Sequence, residues 1–93
     1  MKLSFEWDEE KAKENLKKHG VGFNEATTVF IDPCSITIPD SAHSVGEQRY
    51  VDIGSSDKYR LLVVVYTERD SNMRIISCRK ATSSERKLYE GKW

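Results

Sequence analysis

The order of apolar and polar residues along the chain predicts five strands. Residues 59–67 contain an uninterrupted apolar run, Leu61 to Val65, which is typical of a central strand covered on both sides. The other strand-like segments are residues 3–7, 34–38, 47–53 and 73–79. Short polar turns separate the last three strands, which predicts an antiparallel meander with residues 59–67 in its centre.

Helix signals follow the first strand. Asp8 is a suitable N-cap for a first helix, which Gly20 ends, with acidic residues in its first turn and basic residues in its last. Asn24 is a suitable N-cap for a short second helix to about Phe30. That helix must end before Pro33, because the residue before a proline is pushed out of the helical region.

A last helix is expected at the carboxyl end. The segment Thr82-Ser83-Ser84-Glu85 fits a capping box, which predicts a helix from Ser83 to about Glu90. Helices that are kept apart from the meander of strands predict an α+β fold. We assign four large apolar side chains to its core: Trp7, Leu16, Phe23 and Phe30.

Length and composition limit the class of protein. With 93 residues, 38% hydrophobic and 32% charged, we expect a single domain over residues 1–93. No apolar stretch approaches the roughly 20 residues that span a bilayer, and there is no signal segment, which predicts a cytoplasmic protein without membrane contact. Cys34 and Cys78 are interpreted as packing residues, with reactive thiols as the alternative, and the absence of a CxxC spacing or a His–Cys cluster gives no reason to expect a disulfide, a metal site or a cofactor.

The zero net charge hides an uneven distribution. Residues 1–50 contain six Lys and Arg against nine Asp and Glu, whereas residues 51–93 contain nine against six. Five of the nine basic residues in the second part are arginines, which suit bidentate contact with phosphate. The phosphate backbone of an RNA is therefore expected to bind residues 51–93. An ordinary solvated surface is the alternative.

A series of short motifs covers nearly the whole chain in a fixed order. They are Phe5-Glu6-Trp7-Asp8-x-x-Lys11, Asn15, Lys18-His19-Gly20, Phe23-x-x-Ala26, Val29-Phe30-x-Asp32-Pro33, His43-Ser44-x-x-Glu47-x-Arg49, Leu62-Val63-Val64-Val65-Tyr66-Thr67-x-Arg69 and Arg74-Ile75-Ile76-Ser77-x-Arg79-x-Ala81-Thr82-x-x-Glu85-Arg86-x-x-Tyr89. Each motif is short, but their order and spacing together resemble the BrnT family of toxins. Cys78 stands where the family pattern has alanine or another small residue, a difference that is compatible with packing.

The resemblance implies both a fold and a function. The implied fold is RelE-like: a small antiparallel sheet with two N-terminal helices and one C-terminal helix. The implied function is that of a ribonuclease toxin of a type II toxin-antitoxin system, which suppresses translation and is covered by a cognate antitoxin. Antitoxins of such pairs usually carry a small DNA-binding domain, so a hetero-oligomer with the antitoxin, rather than this chain, is expected to bind DNA.

The residues favour RNA cleavage without a metal ion, in which the ribose 2'-hydroxyl attacks the scissile phosphate. The sequence contains neither a glycine-rich phosphate loop nor a cluster of carboxylates for magnesium. Arg79 is the first candidate to stabilise the developing negative charge, on a strand face that strict alternation shares with Ser77, and Arg69 is the second. The alternative is that Arg79 pairs with Glu85 or Glu47 and anchors the last helix.

Two further residues are candidates for proton transfer. Glu47 is a candidate general base, or alternatively the anchor of an arginine, and His43 is a candidate acid or base or an ordinary loop histidine. The residues expected to bind RNA are Arg49, Arg74, Lys80, Arg86 and Tyr89. A non-catalytic RNA- or protein-binding module of the same fold is the rival hypothesis. The two differ in whether Arg79, Arg69 and either proton-transfer candidate converge on one pocket.

Overall fold

Strands and helices alternate in blocks along the chain. The computed structural model describes residues 3–40 and 46–91. The elements are β1 (Ser4–Glu6), α1 (Glu9–His19), α2 (Phe23–Thr27), a 3-10 helix (Thr28–Ile31), β2 (Ile36–Pro39), β3 (Arg49–Ser55), β4 (Leu61–Arg69), β5 (Asn72–Lys80) and α3 (Ser83–Glu90). The element order thus begins with a strand, and the segment expected as one second helix is divided into α2 and the 3-10 helix. None of the described helices is long and apolar enough to cross a membrane.

The sheet has five strands in the order β1-β5-β4-β3-β2. The prediction of a central apolar strand is confirmed, because β4 lies in the middle and pairs antiparallel with β3 and β5. The prediction of an antiparallel sheet is wrong, because β1 pairs parallel with β5, with Phe5 opposite Met73. The sheet is therefore mixed. Alternation identifies a strand but does not specify its partner or its direction.

A β-bulge interrupts β5. Val65 lies opposite Ser77, but its neighbour Tyr66 lies opposite Ile75, so Ile76 is an extra residue in β5. The extra residue shifts the alternation by one position. As a result Ile75 and Cys78 are buried in the same core, and the strict alternation expected for this strand is wrong.

The larger core lies between the sheet and the first helices. It comprises Val21, Phe23, Ala26, Val29, Leu62, Val64, Tyr66, Ile75 and Cys78. Trp7 and Phe30 pack against it, as assigned from the sequence, and the Trp7 ring meets the Phe23 ring edge-on at 5.9 Å. Leu16 is 54% exposed, so its assignment to the core is wrong. Burial raises the pKa of the Cys78 thiol to about 11, in agreement with a packing role.

Asn15, not Leu16, attaches α1 to the sheet. It is the buried residue of α1, and its Nδ2 donates to Val21 O at 3.0 Å and to Cys78 O at 2.8 Å. The Cys78 N–H donates back to Asn15 Oδ1 at 3.1 Å. One amide side chain therefore joins the helix, the loop that follows it and β5. Asn15 belongs to the family pattern, but an isolated polar residue on a helix does not by itself predict such a role.

A smaller core lies on the opposite face of the sheet, beneath α3. Ile53, Leu61 and Val63 form its buried centre, and Tyr89 of α3 packs against them. The capping box expected at the start of α3 is confirmed, because the Glu85 N–H donates to Thr82 Oγ1 and the Thr82 N–H donates to Glu85 Oε1. The helix covers this face only at the end of the sheet where β5 leaves it.

Candidate nucleic-acid interface

Four arginines of β3, β4 and β5 share the face of the sheet that α3 covers at one end. Arg49 and Arg74 both lie opposite Thr67, and Arg79 lies opposite Val63. Residues 63, 65, 67 and 69 of β4 lie on one face because side chains alternate along a strand, so Arg69 belongs to the same face. We call the surface of Arg49, Arg69, Arg74 and Arg79 the basic face.

The two arginines favoured for catalysis lie at opposite ends of the basic face. Arg79 is level with Val63, and Arg69 is six residues further along β4. At about 3.3 Å per residue, the two backbone positions are roughly 20 Å apart. They are therefore not brought together in one pocket, so the convergence expected for the nuclease is not found, and the two arginines lie at opposite ends of the basic face.

Arg79 is held firmly by the helix that follows it. Its Nη1 and Nη2 donate to the two carboxylate oxygens of Glu85, each at 2.7 Å, and Nη1 also donates to Lys80 O at 3.3 Å. The guanidinium holds the pKa of Glu85 down to about 2, so the pair is fully ionised at neutral pH. The Arg79 side chain stays 41% exposed. Its remaining N–H groups have no acceptor among the described residues and are available to an anion.

The other end of the basic face carries two more ion pairs. Arg69 donates from Nε and Nη2 to Glu47, both at 3.1 Å, and Arg74 pairs with Glu6 at 3.1 Å. Arg69 holds the pKa of Glu47 below its ordinary value, with smaller contributions from Arg74 and Arg49. A carboxylate with a lowered pKa is a weak base. Glu47 therefore acts in this structure as the anchor of an arginine.

Thr67 lies between Arg49 and Arg74 in the middle of the basic face. It is 1% exposed, and its hydroxyl has no hydrogen-bond partner among the described residues. An unpaired buried hydroxyl costs free energy relative to a paired one. The sequence pattern gave no indication of this position, because threonine is an ordinary strand residue.

The remaining predicted RNA-binding residues lie around α3. Lys80 and Arg86 line a surface cleft of about 320 Å³, which also includes Tyr59 and Arg60. Tyr89 faces the small core instead, and its hydroxyl donates to Asp32 Oδ2 at 2.7 Å. Burial and the Asp32 carboxylate raise the pKa of Tyr89 to about 12. His43 lies outside the described residues.

Sequence reasoning missed two carboxylates that hold the fold together. Asp32 accepts hydrogen bonds from the N–H groups of Cys34 and Ser55 as well as from Tyr89. Glu25 is buried and pairs with Arg60. Asp32 stands before Pro33, a position typical of a turn, and it belongs to the motif Val29-Phe30-x-Asp32-Pro33, but neither signal indicated its hydrogen-bond partners. The part of the chain that the structure describes has no group of three His, Cys, Asp or Glu residues suited to a metal ion.

A mixed sheet that carries four arginines on one face, covered by a helix at one end, defines a small α+β protein with a candidate nucleic-acid interface. A family model described as the ribonuclease toxin BrnT of type II toxin-antitoxin systems matches residues 7–85. The chain therefore belongs to the BrnT family of ribonuclease toxins. The search of curated proteins found no match.

The fold is also similar to a solved structure. The crystal structure of the Brucella abortus ribonuclease toxin BrnT at 1.1 Å resolution superimposes with a TM-score of 0.68 at 22% sequence identity. The similarity covers 88% of this chain and 100% of that chain. At this level of identity the comparison demonstrates a shared fold.

Proposed function

We propose that this BrnT-family toxin is a metal-independent endoribonuclease of the cytoplasm, a single RelE-like domain in which the ribose 2'-hydroxyl attacks the scissile phosphate. The observation that carries the proposal is the basic face. A row of arginines about 20 Å long lies along the sheet, and Glu85, Glu47 and Glu6 hold three of its guanidinium groups in place. These carboxylates offset much of the positive charge, so the support for the proposal is a set of preorganised N–H donors, which can stabilise a pentacoordinate phosphate.

Within this proposal Arg79 stabilises the transition state. Bidentate contact with Glu85 at 2.7 Å fixes its guanidinium before RNA binds, whereas Arg69 is held by longer bonds at a more exposed position. Electrostatic stabilisation is strongest when the charged group needs no reorganisation during the reaction. Arg79 is therefore favoured over Arg69.

The other proposed roles follow from position. Arg49 and Arg74, with Arg69, hold the RNA backbone beyond the scissile phosphate, and Lys80 and Arg86 hold it on the α3 side. Proton transfer is proposed for His43 or Glu47, and Tyr89 contributes by positioning α3. Glu47 lies at the Arg69 end of the basic face. A catalytic role for Glu47 therefore requires Arg69, rather than Arg79, at the scissile phosphate.

Cleavage of a single-stranded RNA by the purified protein should persist in excess EDTA, because arginine side chains supply the positive charge in this mechanism. A gel time course with and without EDTA measures the effect. A magnesium-dependent nuclease in the same buffer is the control and must lose activity. Loss of cleavage that added magnesium restores would contradict the proposal. RNA that is bound but never cut would instead support the non-catalytic binding module.

We also propose that a cognate antitoxin neutralises the toxin in a hetero-oligomer and supplies the DNA-binding domain. The type II family is the support for this proposal. Expression of the toxin alone should arrest growth, and co-expression with the product of the neighbouring reading frame should restore it. Colony counts with each gene separately induced measure both effects. If neither neighbouring gene product restores growth, the proposal is contradicted.

A further inference from the structure

Tyr59 holds an aromatic ring in solvent at the turn between β3 and β4. Its residue exposure is 93%, the highest among the large hydrophobic side chains of the described residues. Its backbone has a φ of 60°, in the left-handed region that a bulky side chain rarely adopts. The chain therefore accepts both an exposed ring and an unfavourable backbone conformation at the same residue. Such residues concentrate at functional sites.

The turn that carries Tyr59 is anchored to the body of the protein. The Tyr59 N–H donates to Ser56 O at 3.0 Å, and the Ser56 N–H donates to Arg60 O at 2.8 Å. Ser56 is buried, and its hydroxyl donates to Glu25 Oε2 at 2.7 Å. Arg60 binds the same carboxylate through Nε at 2.9 Å. The ring is thus presented from a rigid base, which lowers the entropy lost when a ligand stacks on it.

Three basic side chains line the cleft on one side of the Tyr59 ring. Tyr59 lines a cleft of about 320 Å³ together with Arg60, Lys80 and Arg86, and Leu61 and Ala81 also line it. Arg60 is engaged by Glu25, and Arg86 approaches Glu90 only at 3.9 Å. Lys80 is exposed and lies next to Arg79 in β5. The cleft therefore continues the basic face around the end of the sheet.

We propose that Tyr59 is a stacking platform for an unpaired base of the RNA substrate, with Lys80 and Arg86 holding the phosphates on either side of that nucleotide. An exposed aromatic ring beside cations is the combination that binds single-stranded nucleic acid without regard to sequence. The site binds one nucleotide next to the stretch held by the basic face. This inference rests on RNA as the substrate of the proposed function, but not on Arg79 as the catalytic residue.

Charge complementarity favours RNA over a protein partner at this site. On its other side Tyr59 borders a surface that includes Thr28 and Ile31 together with the carboxylates of Asp32 and Asp57, and Ile31 is 78% exposed. A protein partner docked there would contact Ile31, but the cations of the cleft would not be needed. RNA matches both the ring and the cations. The test must therefore distinguish RNA stacking on this ring from docking of the antitoxin on it.

The test compares Tyr59→Gly, Tyr59→Asn and Tyr59→Phe in binding to a fluorescein-labelled, single-stranded 2'-O-methyl RNA, which cannot be cut. Glycine and asparagine accept a positive φ, so both variants are expected to fold. Fluorescence anisotropy should show affinity lowered about 5- to 100-fold in these two variants, since each stacked base contributes substantially to binding. The Tyr59→Phe variant keeps the ring and should bind within about twofold of the original protein.

Two controls separate stacking from charge. An abasic oligonucleotide of equal length carries the same phosphates without bases, and the three Tyr59 variants should bind it equally. Lys80→Gln and Arg86→Gln should each reduce the slope of log affinity against log salt by about 0.7. Lys13→Gln, beside Trp7 and Phe23 on the other face of the sheet, should leave that slope unchanged.

Unchanged affinity of Tyr59→Gly for the 2'-O-methyl RNA overturns the inference. Equal loss in Tyr59→Phe also overturns it, because the hydroxyl and not the ring would then make the contact. Unchanged RNA affinity with weaker retention of the co-expressed antitoxin shows a protein-docking residue, which is a third way to overturn it. If the protein does not cut RNA but the Tyr59 series behaves as expected, the catalytic proposal alone fails.

Discussion

Replacing Arg79 by alanine should reduce the rate of RNA cleavage by about 100- to 1,000-fold, the usual cost of losing a preorganised group that stabilises transition-state charge. Glu85 fixes the guanidinium. The remaining N–H groups have no acceptor among the described residues and can donate to a phosphate. The loss should appear in kcat with a smaller change in KM, because the contact is strongest in the transition state. Initial rates on a labelled oligonucleotide over a range of concentrations measure both constants.

The control for that variant is Glu85→Gln, since Arg79 also anchors α3. The pKa of Glu85 is lowered from its ordinary value of 4.5 to about 2 in the folded protein. The ion pair therefore adds its full stability above about pH 4.5, and this stability is lost as the pH falls toward 2. Glu85→Gln should therefore lower the free energy of unfolding at pH 7 and make it depend less on pH in the acid range. Urea titrations at several pH values measure both effects. Its cleavage rate should fall much less than that of Arg79→Ala.

Comparison with Arg69→Ala locates the scissile phosphate along the basic face. A mainly KM effect in Arg69→Ala agrees with backbone binding at the far end of the sheet. If Arg69→Ala loses kcat while Arg79→Ala retains it, the chemistry takes place beside Glu47, and the role assigned to Arg79 is wrong. Circular dichroism must show that both variants fold.

Replacing Asn15 by alanine should lower the free energy of unfolding by about 3 to 5 kcal/mol. The change removes hydrogen bonds to Val21 O, Cys78 O and the Cys78 N–H, and it leaves those buried groups without their partner. Domains of this size have a total stability of about 5 to 15 kcal/mol, so the variant should be close to unfolding at 37 °C. Urea denaturation followed by tryptophan fluorescence measures the loss.

Leu16→Ala provides the matched control on the same helix. The side chain is 54% exposed, so its removal should change stability by no more than about 0.5 kcal/mol. A loss below about 1 kcal/mol for Asn15→Ala would mean that water replaces the amide, and that α1 is held by apolar contacts instead. A large loss for Leu16→Ala would contradict the exposed position of that residue.

Most features that depend on neighbouring residues were predictable from the sequence, although the Asn24 cap was wrong, because α2 begins at Phe23 with Gly22 as its N-cap. The Asp8 cap and the Thr82–Glu85 capping box formed as expected, because their donors and acceptors lie within one helical turn. The apolar run of β4 identified the central strand for a similar reason, since a strand covered on both sides needs apolar residues at every position.

Features that depend on distant residues were not predictable. Nothing in Ser4–Glu6 indicates a parallel partner at the other end of the chain, and nothing in β5 marks Ile76 as the residue that bulges. Leu16 was expected in the core but is exposed, and Asn15 is buried instead, because a buried amide with three hydrogen-bond partners can replace an apolar contact. The separation of Arg69 from Arg79 likewise depends on strand register.

The parallel pairing of β1 with β5 affects how the protein folds. Paired residues of the two strands, such as Ser4 and Asn72, are 68 residues apart in the sequence, so their contact closes a long loop and is entropically expensive to form. Pairings of this kind raise the contact order and slow folding. Until β1 arrives, the outer edge of β5 offers unpaired backbone groups to any extended segment nearby. A newly synthesised toxin is therefore open to strand exchange at this edge before it becomes active.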